Sequence, residues 1–279
     1  MTSSRTDVGR VGWTTAQAAM VGVGVLTIFP LYFIVITAFK TRPEYLTNRF
    51  FPPAHPTLQN FRDAFNEGSI VTWMLNSIMI TTASVILATI VSALAAYPLA
   101  RMRFPGRLPF IGLSVALMVV PPVVLVVPLF LFFVNLGMVN SRLAVVIVYT
   151  GLLIPFSIFL LVNFFATIPR SLEEAARIDG AGQLRTLWSV ITPLSAPALV
   201  TIVVVNAVWV WNELLIALVF LQDDNSRTLM AGLTFFQGRF LPNEPLVMTG
   251  ALIATIPMLL LYIIGQRFFI RGLTAGFGK

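Results

Sequence analysis

Six long apolar stretches punctuate the chain, at roughly Ala16–Phe39, Val71–Ala96, Leu108–Val134, Leu143–Phe165, Ala198–Leu221 and Leu246–Phe268. A hydrocarbon layer about 30 Å thick is crossed by about 20 apolar residues in helical form. No water inside the layer satisfies backbone amides, so apolar stretches of this length must be helices. The alternating ten-residue pattern of a membrane β-barrel is absent. The pattern therefore predicts an all-α integral membrane fold with six transmembrane helices over residues 16–268. Hydrophilic residues 1–15 read as a loosely ordered cytoplasmic tail and residues 269–279 as a second one. The first apolar stretch is long and is followed by no small-residue cleavage site, so it reads as a retained helix rather than a signal peptide.

Composition agrees with this reading. Of the 279 residues, 57% are hydrophobic and 10% charged, and the mean hydropathy is +0.89. Soluble domains carry about 45–50% apolar and about 25% charged residues. There is no cysteine, which excludes disulfides, thiolate metal sites and a cysteine nucleophile. The single histidine, His55, lies between prolines in PPAHP and reads as a loop residue. No metal site is expected.

Net charge is +7, but no RRM, zinc-finger or basic-helix signature accompanies it, and the arginines lie in ones and twos at span ends. Nucleic acid is therefore not expected as a partner; membrane lipid is. With the N-terminus inside, eleven Lys and Arg fall on the inner side and seven on the outer. That excess predicts both termini in the cytoplasm. The short loop Arg101-Met-Arg-Phe-Pro-Gly-Arg107 is its clearest marker.

Prolines recur within the spans, and two readings stay open for them: kinked packing, or broken helices around a solute path. The pair Pro121-Pro122, near the middle of the third span, favours a break. In the outer loop from Lys40 to Ile70, TLQNFRDAF is predicted to form one or two amphipathic helical turns.

The longest inner loop, residues 166–197, separates spans four and five. Ser171 precedes Glu174 by three residues, a capping-box pattern with Pro169 just before it. A short helix through Leu172, Ala175, Ala176 and Ile178 would end at Gly180, which tolerates positive φ. A second helical stretch, Leu184–Ile191, would stop at Pro193. The expected product is a compact helix–turn–helix with a small apolar and acidic knob.

Glu174-Ala175-Ala176, three residues, Gly180, nine residues and Val190-Ile191-Thr192-Pro193 resemble the EAA motif of ABC importer permeases, E-A-A-x3-G-x9-I-x-L-P. Val190 replaces the isoleucine, and Thr192 stands where the motif has leucine. The six spans, the position of this loop, Trp211-Asn212-Glu213 and the ending Gln266-RFFIRGLTAGFGK resemble carbohydrate-uptake permeases of the maltose-permease type. Glycerol-phosphate permeases share these features.

The resemblance implies a type I ABC importer permease fold. It also implies a coupling helix that docks on a cytoplasmic ATPase, with Glu174, Ala175, Ala176, Asp179 and Gly180 as the contact. The implied partners are a second homologous permease, two copies of a nucleotide-binding ATPase and an extracytoplasmic substrate-binding protein met by the outer loops, especially Gln222–Leu246. A sugar is the implied substrate. The chain has no G-x4-G-K-[ST] phosphate loop. No cofactor is therefore expected on this chain, ATP and Mg belong to the partner ATPase, and the chain is not an enzyme by itself. Read without a partner, the same loop would be an interfacial helix.

Glu213 falls within the fifth apolar stretch, where a charge costs about 2.5–3.5 kcal/mol on insertion scales. At helical spacing, Asn206, Trp209, Val210 and Glu213 share one face, with Trp211 turned away. An asparagine, an indole and a carboxylate on one stripe suit a sugar path. Alternatively, Glu213 reaches water at the outer interface, with the tryptophans as belt residues. Asn76 and Asn163 are further path candidates, with helix packing as the other reading. Other open readings are a permease for glycerol phosphates, polyols or other small solutes, and a proton-coupled carrier built around Glu213. A membrane enzyme lacks its parts, because no cysteine and no second histidine is present and the spans hold one acid.

Overall fold

The structure, a computed structural model, describes the backbone of residues 4–66, 69–237 and 243–277 and the side chains of 16–66, 69–235 and 243–266. Arg5, Arg10, Arg239, Arg267, Arg271 and Lys279 of the charge count lie outside the described side chains, as does most of the Gln266–Lys279 ending. The regular secondary structure among the described residues is helical, with no β-strand.

The helices are α1 (Ser4–Ala38), α2 (Arg42–Thr47), α3 (Gln59–Asn66), α4 (Ile70–Arg101), α5 (Arg107–Val119), α6 (Pro122–Asn135) and α7 (Arg142–Thr167). They continue with α8 (Arg170–Ile178), α9 (Gln183–Thr186), a π-helical turn (Leu187–Ile191), α10 (Thr192–Leu194), α11 (Ala196–Asn212), α12 (Leu215–Phe220) and α13 (Leu229–Leu233). A 3-10 turn (Thr234–Gln237) precedes α14 (Glu244–Phe277). Helix α1 begins at Ser4 rather than near Ala16, so the stretch expected to be loosely ordered is helical from that residue. Among the described residues, four helices are long and apolar enough to cross a membrane, and two further bent pairs reach that length together.

The chain forms two compact units, one holding α1–α3 with the start of α14, the other holding α4–α12 with the rest of α14. In the first unit, Lys40 is fully buried, and its Nζ donates to the carbonyls of Asn48 (2.7 Å) and Arg49 (3.2 Å). Burial lowers the pKa of this ammonium from its ordinary value, and Glu44 opposes the shift. Asn60, on the expected amphipathic helix α3, donates to the carbonyls of Ala38 and Lys40.

The second unit is built on α4 lying along α7. Ser77, Thr81, Ser84, Ala88, Ser92 and Ala96 line the buried side of α4 at spacings of three and four. Small side chains let two backbones approach closely, which matters where lipid supplies no hydrophobic drive between helices. One buried cluster centres on Tyr149, Val148, Ile80 and Phe220. A second centres on Tyr97, Leu161, Phe165, Leu187 and Ile191.

The third and fifth apolar stretches are not single straight helices. Helices α5 and α6 meet at 98°. Val120 and Pro121 are both extended there (ψ 116° and 128°), because proline pushes the residue before it out of the helical region. The expected break at Pro121-Pro122 is present. The fifth stretch departs from the expected Ala198–Leu221 helix: α11 ends at Asn212, and α12 starts after Glu213 and Leu214.

Candidate functional site

Most of the residues singled out above fall in two regions, the α8 knob and the break between α11 and α12, with Asn76 on α4 and Asn163 on α7 outside both.

Helix α8 starts one residue after Pro169, which takes the N-cap position without a side-chain cap bond. This corrects the capping box expected from Ser171 and Glu174. With Arg170 already helical, Ser171 lies inside the first turn and cannot cap it. The C-terminus matches expectation. Gly180 has φ +78°, its N–H bonds the carbonyl of Arg177, and the Ala181 N–H bonds that of Ala176. These are the paired bonds of a glycine-terminated helix, open to glycine because of its positive φ.

Glu174, Ala175, Asp179 and Gly180 are exposed, and Ala176 is buried at the base of the helix. Ile178 (86% exposed) and Leu184 (66% exposed) add apolar surface to the knob. Pro193 does not stop the second helical stretch, which runs on through a π turn and α10 and then bends by 80° into α11. The Thr192 N–H bonds the carbonyl of Leu187, five residues back. Proline has no N–H to continue the ordinary ladder, and the wider turn absorbs the mismatch.

Beneath the knob, Glu173 and Arg101 form a buried ion pair (Nε to Oε1, 2.6 Å), with side chains 6% and 5% exposed. The contact is an ion pair rather than an aligned hydrogen bond. Arg101 also donates through Nη2 to the carbonyl of Ile168 (2.7 Å). Sequence reasoning counted Arg101 only as a charge and gave Glu173 no role.

At the second region, Glu213 leaves the helix (φ −71°, ψ 120°) and its carboxylate turns onto the start of α12. It accepts from the N–H groups of Leu215, Ile216 and Ala217 at 2.9–3.2 Å. Tyr149 Oη donates to it at 2.6 Å. The expected helical stripe through Glu213 is thus corrected. A carboxylate facing the free N–H groups of a new helix start makes a charge-assisted cap, which favours leaving the ladder at this point. Trp209 is half-buried and meets Tyr149 edge to face, with ring centroids 5.9 Å apart.

Of the other candidates, Asn206 is buried and donates to Ser157 Oγ (2.9 Å) on α7. Asn163 is exposed and donates to the carbonyl of Phe159 in its own helix. Asn76 is buried, donates to the carbonyls of Asn225 and Arg227, and accepts from Arg142 Nη1 (2.7 Å). The structure therefore links Trp209 and Glu213 through Tyr149, and binds Asn206 and Asn76 to neighbouring elements. Trp211 turns the other way, donating to the carbonyl of Ala254 on α14. An open cavity of about 380 Å³ lies between α4, α11 and α14, lined by Thr81, Thr82, Ala207, Trp211 and Pro257 among others.

The sequence missed Tyr149, Ser157 and Asn140. Asn140 has φ +57°, and its Oδ1 accepts from the N–H groups of Gln222 and Asp223. Positive φ at an asparagine leaves only a weak trace in sequence.

Residues 88–274 match the family described as "Binding-protein-dependent transport system inner membrane component". The chain is 35% identical over 277 residues to the melibiose/raffinose/stachyose import permease protein MelC of Bacillus subtilis, covering 99% of each chain. It is 32% identical over 258 residues to the trehalose/maltose transport system permease protein MalG of Thermococcus litoralis, covering 91% of this chain and 92% of that one. Among solved structures, a chain of a bacterial ABC transporter involved in the import of the acidic polysaccharide alginate is similar at TM-score 0.82 and 25% identity. That match covers 96% of this chain and 99% of the other.

Proposed function

The chain belongs to the family of binding-protein-dependent transport system inner membrane components, and from that premise we propose that it imports a carbohydrate as one permease subunit of an ATP-driven ABC importer. It is a multi-pass protein of the inner membrane. The proposed substrate is a disaccharide or larger oligosaccharide, in keeping with the sugars for which MelC and MalG are named. In this reading α5 with α6 makes one span and α11 with α12 another, giving six spans with both termini in the cytoplasm.

The observation that carries the proposal is the α8 knob. Glu174, Ala175, Asp179 and Gly180 stand exposed on a helix closed by a positive-φ glycine, between the fourth and fifth spans. The small side chain of Ala175 allows a partner to approach closely, and the acidic side chains suit a basic groove. We assign this knob, with Ala176 at its base, to contact with a cytoplasmic ATPase that holds ATP and Mg. Two such ATPases and a second permease complete the transmembrane assembly. The outer segment Gln222–Leu246 faces an external binding protein; residues 238–242 of it lie outside the described residues. ATPase closure would draw the knobs together and rock the spans between inward- and outward-open states. Trp209, held edge-on by Tyr149, is the group assigned to stack on a sugar ring in the path. Glu213, Asn206 and Asn76 position helices around it, and Asn163 stays a lesser path candidate.

The test is a mild-detergent pull-down from the native host, read by mass spectrometry, followed by uptake in proteoliposomes. Co-purification of a Walker-motif ATPase and a second permease, with ATP-driven uptake of raffinose or maltose, is the expected result. A chain recovered alone even after cross-linking would sink the importer reading and move a carrier built around Glu213 to first place. In the same assay, Gly180→Asp is expected to leave the protein in the membrane but uncouple uptake from ATP hydrolysis. Aspartate strains the positive φ and adds charge to the docking face. Normal uptake by that variant would remove the coupling role of α8.

A further inference from the structure

We infer that the buried Arg101–Glu173 pair is the strut that carries movement of the α8 knob into the membrane-spanning part of the chain; this rests on the importer reading above.

Glu173 and Glu174 are neighbours in sequence with opposite placements. Glu174 is exposed on the knob, whereas Glu173 is 4% exposed and turned inward. Its partner, Arg101, is the last residue of α4. Arg101 bonds at once to the Glu173 carboxylate and to the carbonyl of Ile168, where α7 ends. One guanidinium therefore ties together the inner end of α4, the inner end of α7 and the first turn of α8.

Directly associated with this junction is the buried cluster of Tyr97, Ala100, Phe165, Ile168, Leu187 and Ile191. Helix α4, in turn, lies along α7 and lines the cavity shared with α11 and α14. A short amphipathic helix with only apolar contacts at its base can slide or tilt on them. A buried charge pair resists this, because separating the partners leaves each one uncompensated away from water. Pulling on α8 therefore pulls on α4. Close packing then passes the displacement along α4, since tightly packed interiors move as bodies rather than deform continuously. Arg101 and Glu173 act as positioning residues; the ATPase contact itself belongs to Glu174 and its neighbours.

The absence of cysteine gives a clean background for the test. Thr82→Cys places a reporter on α4, in the lining of the cavity. In the complete complex with its ATPase, the rate of N-ethylmaleimide labelling is compared without nucleotide and with ATP plus vanadate. The same measurement is made after adding Glu173→Gln, Arg101→Gln, both together, or Glu173→Asp. The expected result is a nucleotide-dependent labelling change in the parent that is lost in each Gln single variant, while the ATPase stays bound and hydrolyses ATP. The double variant loses no more than the singles, as residues acting as one unit do, and Glu173→Asp, which keeps the charge, retains part of the response.

An undiminished response in both Gln single variants overturns the strut alone. So does loss of ATPase binding in step with the response, which would make the pair a folding element of the knob. If the parent chain recruits no ATPase, the importer reading fails, and the strut with it.

Discussion

At the residue scale, Glu213 offers two carboxylate oxygens to four donors, three backbone N–H groups and one phenol. That occupancy decides what its replacement does. Glu213→Ala is expected to lower stability by about 0.5–2 kcal/mol, the range for losing a helix cap, as a lower midpoint of thermal unfolding in detergent. Glu213→Gln keeps an acceptor and should lose less. Neither is expected to change which sugar is taken up. A changed preference with an unchanged unfolding midpoint would put the carboxylate back in the solute path. The residue was legible from sequence as an expensive intramembrane acid. Its partner Tyr149 was not, because the two lie 64 positions apart and helical periodicity describes only neighbours on one continuous helix.

At the scale of elements, the bend between α5 and α6 is local chemistry first and packing second. Proline at 121 forces Val120 out of the helical region, and proline at 122 does the same to Pro121. Spin labels at Leu113→Cys and Leu131→Cys, both exposed positions, would stand about 27 Å apart on one straight helix. The 98° bend brings them closer. Replacing both prolines by alanine is expected to lengthen the distance measured by pulsed electron paramagnetic resonance. An unchanged distance would assign the bend to tertiary contacts, such as Phe130 and Phe133 of α6 against Phe220 of α12. The break was readable in the Pro-Pro pair. Its angle was not, since two extended residues are compatible with many directions and packing selects one.

At the scale of the whole molecule, the charge bias makes a prediction about sidedness. In intact spheroplasts, a membrane-impermeant maleimide is expected to label Asn225→Cys at once and Arg103→Cys only after permeabilisation. Both positions are exposed in the structure. The reverse pattern would invert the proposed orientation and place the α8 knob on the wrong face for an ATPase. The same scale explains the abundance of exposed large apolar residues on α1, α5 and α6. In a membrane chain such residues meet lipid or other subunits, and their exposure carries no penalty of the kind it would in water.

Local composition and spacing account for the long apolar helices and for the glycine stop of α8. Long apolar runs can only be helices where no water satisfies the backbone. A glycine at 180 closes α8 because only that residue type takes positive φ freely. The helix that carries Glu174, Ala175 and Ala176 was readable because those residues and Gly180 lie within seven positions of one another. Tertiary structure alone decided the pairings between distant residues. Arg101 meets Glu173, Tyr149 meets Glu213, and Asn76 meets the loop after α12. Each unites groups that no one-dimensional period relates. A buried polar group must find a partner, but that requirement does not say which partner. The packing of α4, α7, α11 and α12 against one another makes that choice.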